Sequence, residues 1–263
     1  MAPRQAWDRD TLPQGDEKAT AVREMFDTIA PRYDLINRIM TFRLDVRWRR
    51  TSVRLLGLPR NSVVLDLASG TGDMCIDLGR AGHRPVSVDF SFGMLAADRS
   101  GAPRVQADIL RLPMPDGSVD GVTCGFALRN LVALPPFLDE LARVLRPGGR
   151  IALVWNVRDE RVPWVSELSD AMVGRTGVDR GAAAPIEQSG LYGPVEHATF
   201  EHTQTVDRDA LRALVLSRSY CAVLPEEERA PILGRVDRLF DEHARDGLLT
   251  LPYVVECFRA ERL

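Results

Sequence analysis

Val63-Val-Leu-Asp-Leu-Ala-Ser-Gly-Thr-Gly-Asp73 reads as a buried strand with an acid near its end, followed by a turn of small residues that opens a helix. The near-continuous apolar run suits a strand covered on both faces rather than one with a wet side. Gly70 and Gly72 let backbone approach a ligand more closely than side chains would allow. Nicotinamide and flavin enzymes use a similar turn to seat a pyrophosphate on a helix N-terminus, so the turn alone is a weak signal. Two details favour another ligand. Asp66, at the strand tip facing the turn, would repel an anion but pair with a cationic amino group, and the third glycine position of the dinucleotide fingerprint, counted from Gly70, holds Cys75.

Outward from this stretch, short apolar runs alternate with helix-like segments. Strands are expected at Val63 to Leu67, Pro85 to Val88, Arg104 to Ala107, Gly121 to Gly125 and Arg150 to Trp155. Strand then helix, repeated, predicts an α/β fold whose parallel sheet is covered on both faces. Phe137, Leu138, Leu141, Val144 and Leu145 line one face of the helix before the last of these strands, and Pro147-Gly148-Gly149 is expected to stop it. Upstream, apolar residues recur at helical spacing from Ala21 to Leu58 with a break at Pro31, which gives a helical lead-in. Residues 1–18 are polar and read as an arm. Downstream, the Gly, Pro and Ala positions of 156–194 predict short helices and loops, a place for a substrate cover. Phe200 to Val206 and Leu248 to Phe258 read as strands, Asp207 to Tyr220 and Pro225 to Ala244 as helices. One domain is expected from residue 19 to 263: a helical lid over 19–60, a cofactor-binding core over 61–155, and an acceptor-site cover with the final strands over 156–263.

Asp89 ends the second expected strand, where a carboxylate can accept both hydroxyls of a ribose, and Asp108 follows the third. Three acids after three successive strands of one parallel sheet would lie in a row along its C-terminal edge, where such sheets bind ligands. Together they suit a ligand with an ammonium, a ribose and an adenine amino group, which is S-adenosylmethionine. Each acid also has a blander reading: Asp66 as a helix cap, Asp89 as a turn residue, Asp108 as a loop acid.

Composition sets the outer bounds. With 34 basic and 37 acidic side chains the formal charge is −3, so nucleic acid is not the default partner. At 45% hydrophobic and 27% charged, 263 residues suffice for a globular core without disulfides. The four cysteines form no C-x-x-C pair, which argues against a zinc knuckle or a thioredoxin-type site and makes a reducing cytosol the simplest location. Neither a signal peptide nor a transmembrane helix is expected.

Further motifs accompany the turn: Met25-Phe-Asp-Thr-Ile-Ala-Pro-Arg-Tyr-Asp34 with Asn37, Trp48-Arg-Arg50, Gln106-Ala-Asp108, Leu112-Pro-Met-Pro-Asp116, Phe126-Ala-Leu-Arg-Asn130 and Arg143-Val-Leu-Arg-Pro-Gly-Gly149. Over residues 21–154 the chain resembles the methyltransferases of ubiquinone and menaquinone biosynthesis. The resemblance implies a Rossmann-like class I methyltransferase with a mostly parallel seven-stranded sheet and a helical N-terminal lid. It implies S-adenosylmethionine as cofactor and S-adenosylhomocysteine as product. Expected cofactor contacts are Tyr33, Asp66, Ala68, Gly70, Thr71, Gly72, Asp89, Phe90, Met94, Asp108, Ile109 and Gly125, with Arg129 and Asn130 beside the methyl acceptor. Ala68 stands where most methyltransferases carry glycine, and Gly125 where the family usually has serine. From Val154 onward the chain resembles instead the tails of varied small-molecule methyltransferases.

Methyl transfer from a sulfonium is an in-line displacement that needs alignment and no metal. A quinol or phenol ring carbon becomes nucleophilic when the neighbouring hydroxyl loses its proton. Arg129 is a fixed cation suited to that aryloxide, and Asn130 can hold a hydroxyl or a proton-relaying water. A surface ion pair is the plainer reading of Arg129. Phe26, Trp155 and Tyr220 are candidates for the acceptor pocket, and Tyr33 with Asp34 for the lid. His202 is a candidate base beside the simpler reading of a satisfied histidine. On one strand His197 and His202 would face opposite sides. Arg43, Arg47, Arg49, Arg50 and Arg54, with only Asp45 opposing them, suit either peripheral docking on anionic lipid or a solvated helix face. A homodimer is left open. Two rivals stand beside the quinol reading: a carbon, oxygen or nitrogen methyltransferase of specialised (natural-product) metabolism, and a cofactor-binding or cyclisation protein that transfers no methyl group.

Overall fold

The computed structural model describes residues 44–125, 134–172, 183–216, 221 and 224–263, and only the backbone of 44–48. A first helix, α1 (Leu44–Leu56), leads into β1 (Val63–Leu67), α2 (Asp73–Arg80), β2 (Arg84–Asp89), α3 (Phe92–Ala96), β3 (Arg104–Gln106) and β4 (Val119–Gly125). Then come α4 (Pro135–Val144), β5 (Leu145–Arg158), α5 (Pro163–Ala171), α6 (Ala183–Gln188), β6 (Glu196–Val206), α7 (Arg208–Leu216), α8 (Glu226–His243) and β7 (Leu249–Glu261). The strands form one sheet in the order β3-β2-β1-β4-β5-β7-β6. The pairs β1–β2, β1–β4, β2–β3 and β4–β5 are parallel. Gly148 N–H bonds Arg262 C=O while Asp159 N–H bonds Pro252 C=O, so β7 runs against β5.

Alternation along β1 and β5 shows how both sheet faces are covered. Leu65, Leu67, Ile151 and Leu153 point into a core with Phe137, Leu138 and Leu141 of α4 and Ile186 of α6. Val64 and Ala152, one residue out of step, face Val53 and Leu56 of α1 and Met74 and Leu78 of α2. Every inner position is therefore apolar or must find a polar partner, which explains the unbroken apolar text of β1.

The Pro-Gly-Gly stop assigned to α4 is corrected. Leu145 already has extended backbone and begins β5, and Pro147, Gly148 and Gly149 lie inside that strand. Gly149 is needed there because a Cβ would stand 2.8 Å from Arg146 O and 3.1 Å from Asp120 O.

The described chain forms two compact units. One comprises residues 44–125, 134–156, 183–200 and 255–263, the other residues 157–172, 201–216, 221 and 224–254. Residues 156–263, expected to form the acceptor-site cover and the final strands, contribute to both units. In the second unit α5, α7 and α8 bury Val165, Leu168, Leu211, Val215, Ile232, Val236 and Phe240. Arg212 grips both carboxylate oxygens of Asp237, at 2.8 and 2.5 Å, tying α7 to α8. Among the described residues no helix is long and apolar enough to cross a membrane. None of the four cysteines forms a disulfide, and all four are buried.

Candidate functional site

The parallel register sets Asp66 opposite Ser87 on one side and Thr123 on the other. Residue 66 falls on the α1–α2 side of the sheet, the same side as Val64, and its side chain is buried, with the residue only 2% exposed. Thr123 Oγ1 donates to Asp66 Oδ1 at 2.9 Å and Cys75 Sγ donates to Oδ2 at 3.7 Å. Burial pushes the Asp66 carboxyl up to about 7, and these two bonds offset only part of that. The expectation of an acid facing the turn is corrected: Asp66 is enclosed beneath it. Nor does Asp66 cap α2, whose N-cap is Gly72.

The enclosed chain continues through Cys75 Sγ, 3.2 Å from Ser87 Oγ, and Ser87 Oγ donates in turn to Asp98. Asp98 Oδ1 also accepts the Ser100 N–H at 2.6 Å. This carboxylate supports the glycine turn from below, because a Cβ on Gly72 would lie 2.2 Å from Asp98 Oδ1. Gly72 also has φ of 83°, so it needs glycine for both conformation and space. Above the turn conditions are the opposite. Gly70, at φ 55°, has no heavy atom within 4 Å of where a Cβ would stand. Ala68 takes φ of 51°, a left-handed conformation that strains an alanine.

Asp89, at the end of β2, is held from two directions. Its Oδ2 accepts the Gly70 N–H at 2.8 Å and its Oδ1 the Ser91 N–H at 2.9 Å. Ser91 in turn caps α3, its Oγ accepting the Met94 N–H at 3.1 Å, and Met94 is buried below. Phe90 C=O receives the Gln106 side-chain amide at 3.2 Å. Asp108 is exposed just past β3, its Oδ1 accepting the Leu110 N–H at 2.9 Å, and Ile109 packs against the α4-side core. Thr71 is buried and its carbonyl accepts the Arg99 N–H at 3.2 Å. At Gly125, the tip of β4, a Cβ would meet only Met74 Cε at 3.8 Å, so a serine would fit.

The structure thus gathers Ala68, Gly70, Thr71, Gly72, Asp89, Phe90, Asp108, Ile109 and Gly125 around the C-terminal edge of β1 to β4, with Asp66 and Met94 beneath. Trp155 lies half-buried on β5 against the α4-side core. His202 belongs to the other unit, on the inner side of β6, stacked on Tyr253 with ring centroids 5.0 Å apart. Burial lowers it to about 4, which leaves a neutral imidazole that is a weak base at pH 7. His197 sits on the opposite, exposed side of the strand, stacked on Phe258. Phe26, Tyr33, Asp34, Arg129, Asn130 and Tyr220 lie outside the described residues.

The basic run is also corrected. Arg49 reaches Asp73 and Asp77 of α2 at 3.3 Å each, and Arg50 and Arg80 reach the buried Asp77 as well, so Asp45 is not their only opposing acid. Sequence reasoning also missed Ser87, Asp98 and Thr123, which are scattered along the chain and meet only in the folded sheet. Phe92, 67% exposed beside Ser91 on this edge, was legible as an apolar residue but not as an outward-facing one.

A glycine turn and a row of acids at the switch from β1 to β4, on a sheet ordered 3-2-1-4-5-7-6, define a Rossmann-like methyltransferase fold. The ubiE/COQ5 methyltransferase family matches residues 14–166, and the chain belongs to that family. It is 44% identical over 139 residues to demethylmenaquinone methyltransferase of Mycobacterium sp. (strain JLS), across 52% of this chain and 60% of the relative. The chain thus spans about three fifths of that relative's length. The uncharacterized methyltransferase Mb3374 of Mycobacterium bovis is 38% identical over 203 residues, 75% of this chain and 82% of its own. In fold the chain is similar to the cyclase SpnF, with a TM-score of 0.59 at 14% identity over 92% of this chain and 95% of that one.

Proposed function

We propose that the chain transfers a methyl group from S-adenosylmethionine to a ring carbon of a quinol or phenol, with demethylmenaquinol the first acceptor to try. The observation that carries this is the Asp89 carboxylate, fixed by the Gly70 and Ser91 N–H groups at the C-terminal sheet edge, where it suits a ribose diol. The open space over Gly70 supports a ligand lying on the turn. When bound, S-adenosylmethionine supplies a methyl group made electrophilic by its sulfonium. The chain's own work is to hold and align: the turn offers backbone, Asp89 orients the sugar, and Asp108 with Ile109 borders the adenine. Asp66, enclosed below the turn, offers an ammonium a nearby carboxylate rather than a direct partner. By family likeness Arg129 stabilises the aryloxide and Asn130 holds the hydroxyl or a water beside it. The lowered basicity of His202 supports its reading as a satisfied strand histidine rather than a general base.

A second reading, an acceptor from specialised metabolism, is favoured by where the similarities stop. The demethylmenaquinone methyltransferase match covers about half of this chain, whereas the uncharacterized methyltransferase matches three quarters. Of the two readings of the basic run, pairing of Arg49 and Arg50 with α2 favours a solvated face over lipid docking. The deciding experiment is anaerobic incubation with S-adenosylmethionine and a panel of reduced quinols and phenols, followed by mass spectrometry. A product heavier by one methyl on the quinol ring supports the first reading, and cofactor binding without quinol turnover sends the search to other small molecules.

A further inference from the structure

The loop over 107–118 joins β3 to β4 and carries Asp108 and Ile109 at its start. It is fastened from outside the site by two residues of α4. Arg143 directs one terminal nitrogen to Met114 C=O at 2.8 Å and Asp116 Oδ1 at 2.6 Å, and the other to Leu112 C=O at 2.8 Å. Its remaining contacts go to Glu140, Nε to Oε2 at 2.9 Å and Nη2 to Oε1 at 2.7 Å. Glu140 Oε1 accepts the Leu112 N–H as well, at 2.5 Å. One guanidinium and one carboxylate therefore grip the loop through three backbone groups and one side chain. Below them, Gly117 N–H bonds Arg143 C=O and Ser118 N–H bonds Val144 C=O, both at 2.9 Å. An exposed Glu–Arg pair on one helix is ordinarily worth little. Here the pair is committed to backbone carbonyls through charge-assisted bonds in a fixed fork, which selects one loop conformation.

We propose that Glu140 and Arg143 are positioning residues for the adenine end of the cofactor site, acting by keeping loop 107–118 in the conformation that presents Asp108 and Ile109. This rests on the S-adenosylmethionine reading above. Ordering a loop costs conformational entropy at every residue fixed, so a loop released from its clamp is competent in only a fraction of molecules. Apparent affinity falls to that fraction of its intrinsic value, and by the same factor for every ligand that uses the loop. A ligand's amino-acid end plays no part in the effect.

Calorimetry of S-adenosylhomocysteine and of 5′-methylthioadenosine, which lacks the amino-acid end, tests this on the full chain and on Arg143→Gln and Arg143→Lys. Each protein is measured well below its own thermal midpoint, so that loss of fold does not enter. The expected result is a Kd raised about tenfold for both ligands in Arg143→Gln, with Arg143→Lys restoring only part because an ammonium lacks the fork. Unchanged Kd values in a variant of lower midpoint would overturn the proposal, leaving the clamp a purely structural role. Weaker S-adenosylhomocysteine binding with intact methylthioadenosine binding would overturn it too, by placing the effect at the other end. If Arg143→Gln does not fold, Glu140→Gln, which keeps the shape and removes the charge, carries the same comparison. A wild-type chain that binds neither ligand overturns the cofactor reading itself and this proposal with it, a result distinct from binding that ignores the clamp.

Discussion

Thr123 and Asp66 face each other across β4 and β1 as register partners, and the threonine hydroxyl donates at 2.9 Å to a carboxylate that water scarcely reaches. Nearby charges pull in opposite directions, Asp89 raising the Asp66 pKa and Arg49 lowering it, while burial dominates both. An acid raised from 3.8 to about 7 favours the folded state fully below about pH 4, and that contribution is lost as pH rises through 7. The wild type is expected to lose stability over this window with a slope of up to about 1.4 kcal/mol per pH unit, and Asp66→Asn to show a flatter curve. Denaturant midpoints across the window check this; parallel curves would show that Asp66 ionises freely in the fold.

The turn predicts two unequal glycine substitutions. Gly70→Ala puts a methyl group into open space and costs only the left-handed backbone, about 1–2 kcal/mol. Gly72→Ala adds a collision with the Asp98 carboxylate and is expected to cost several kcal/mol, on the order of 3 or more. Thermal melts of the two variants side by side decide the matter, and equal losses would mean that Asp98 yields freely.

Ala68 offers the reverse substitution. Because it already occupies the left-handed region, Ala68→Gly is expected to stabilise the fold by about 0.5–1 kcal/mol after the entropy of the unfolded glycine is counted. A destabilised variant would show instead that the methyl group packs usefully.

Asp89→Ala removes the acceptor of two backbone N–H groups together with the expected ribose contact. S-adenosylmethionine affinity is expected to fall by about tenfold or more in calorimetry. Asp89→Ala binding as tightly as the wild type would withdraw Asp89 from the site.

With Arg49 and Arg50 paired to α2, vesicle binding is expected to be weak. Flotation with anionic liposomes at low salt checks this, and strong flotation that salt abolishes would restore the lipid-docking reading.

Periodicity located the sheet well where a strand is apolar on both faces: β1 runs from Val63 to Leu67 as read. It did less well at the edge. β6 begins at Glu196 rather than Phe200 because Glu196 to Thr199 are polar enough to look like loop, and β5 begins at Leu145 because Pro147-Gly148-Gly149 reads as punctuation although the strand carries it. At the site, residues at strand tips were legible since a parallel sheet aligns its ends. The depth of Asp66 was not, because which face an acid takes depends on strand register. Arg143 was visible only as part of a motif and Glu140 not at all, since the loop they hold lies on another segment.

All four thiols are shut away in the folded chain, and burial pushes those of Cys75 and Cys257 up, away from the reactive thiolate. Sensitivity to oxidants and alkylating agents is therefore a property of how often the fold opens and not of its surface. Damage on storage without reductant would fall first on molecules already partly unfolded, and Cys75, bonded to Asp66 under the glycine turn, would be modified only after that turn has come apart.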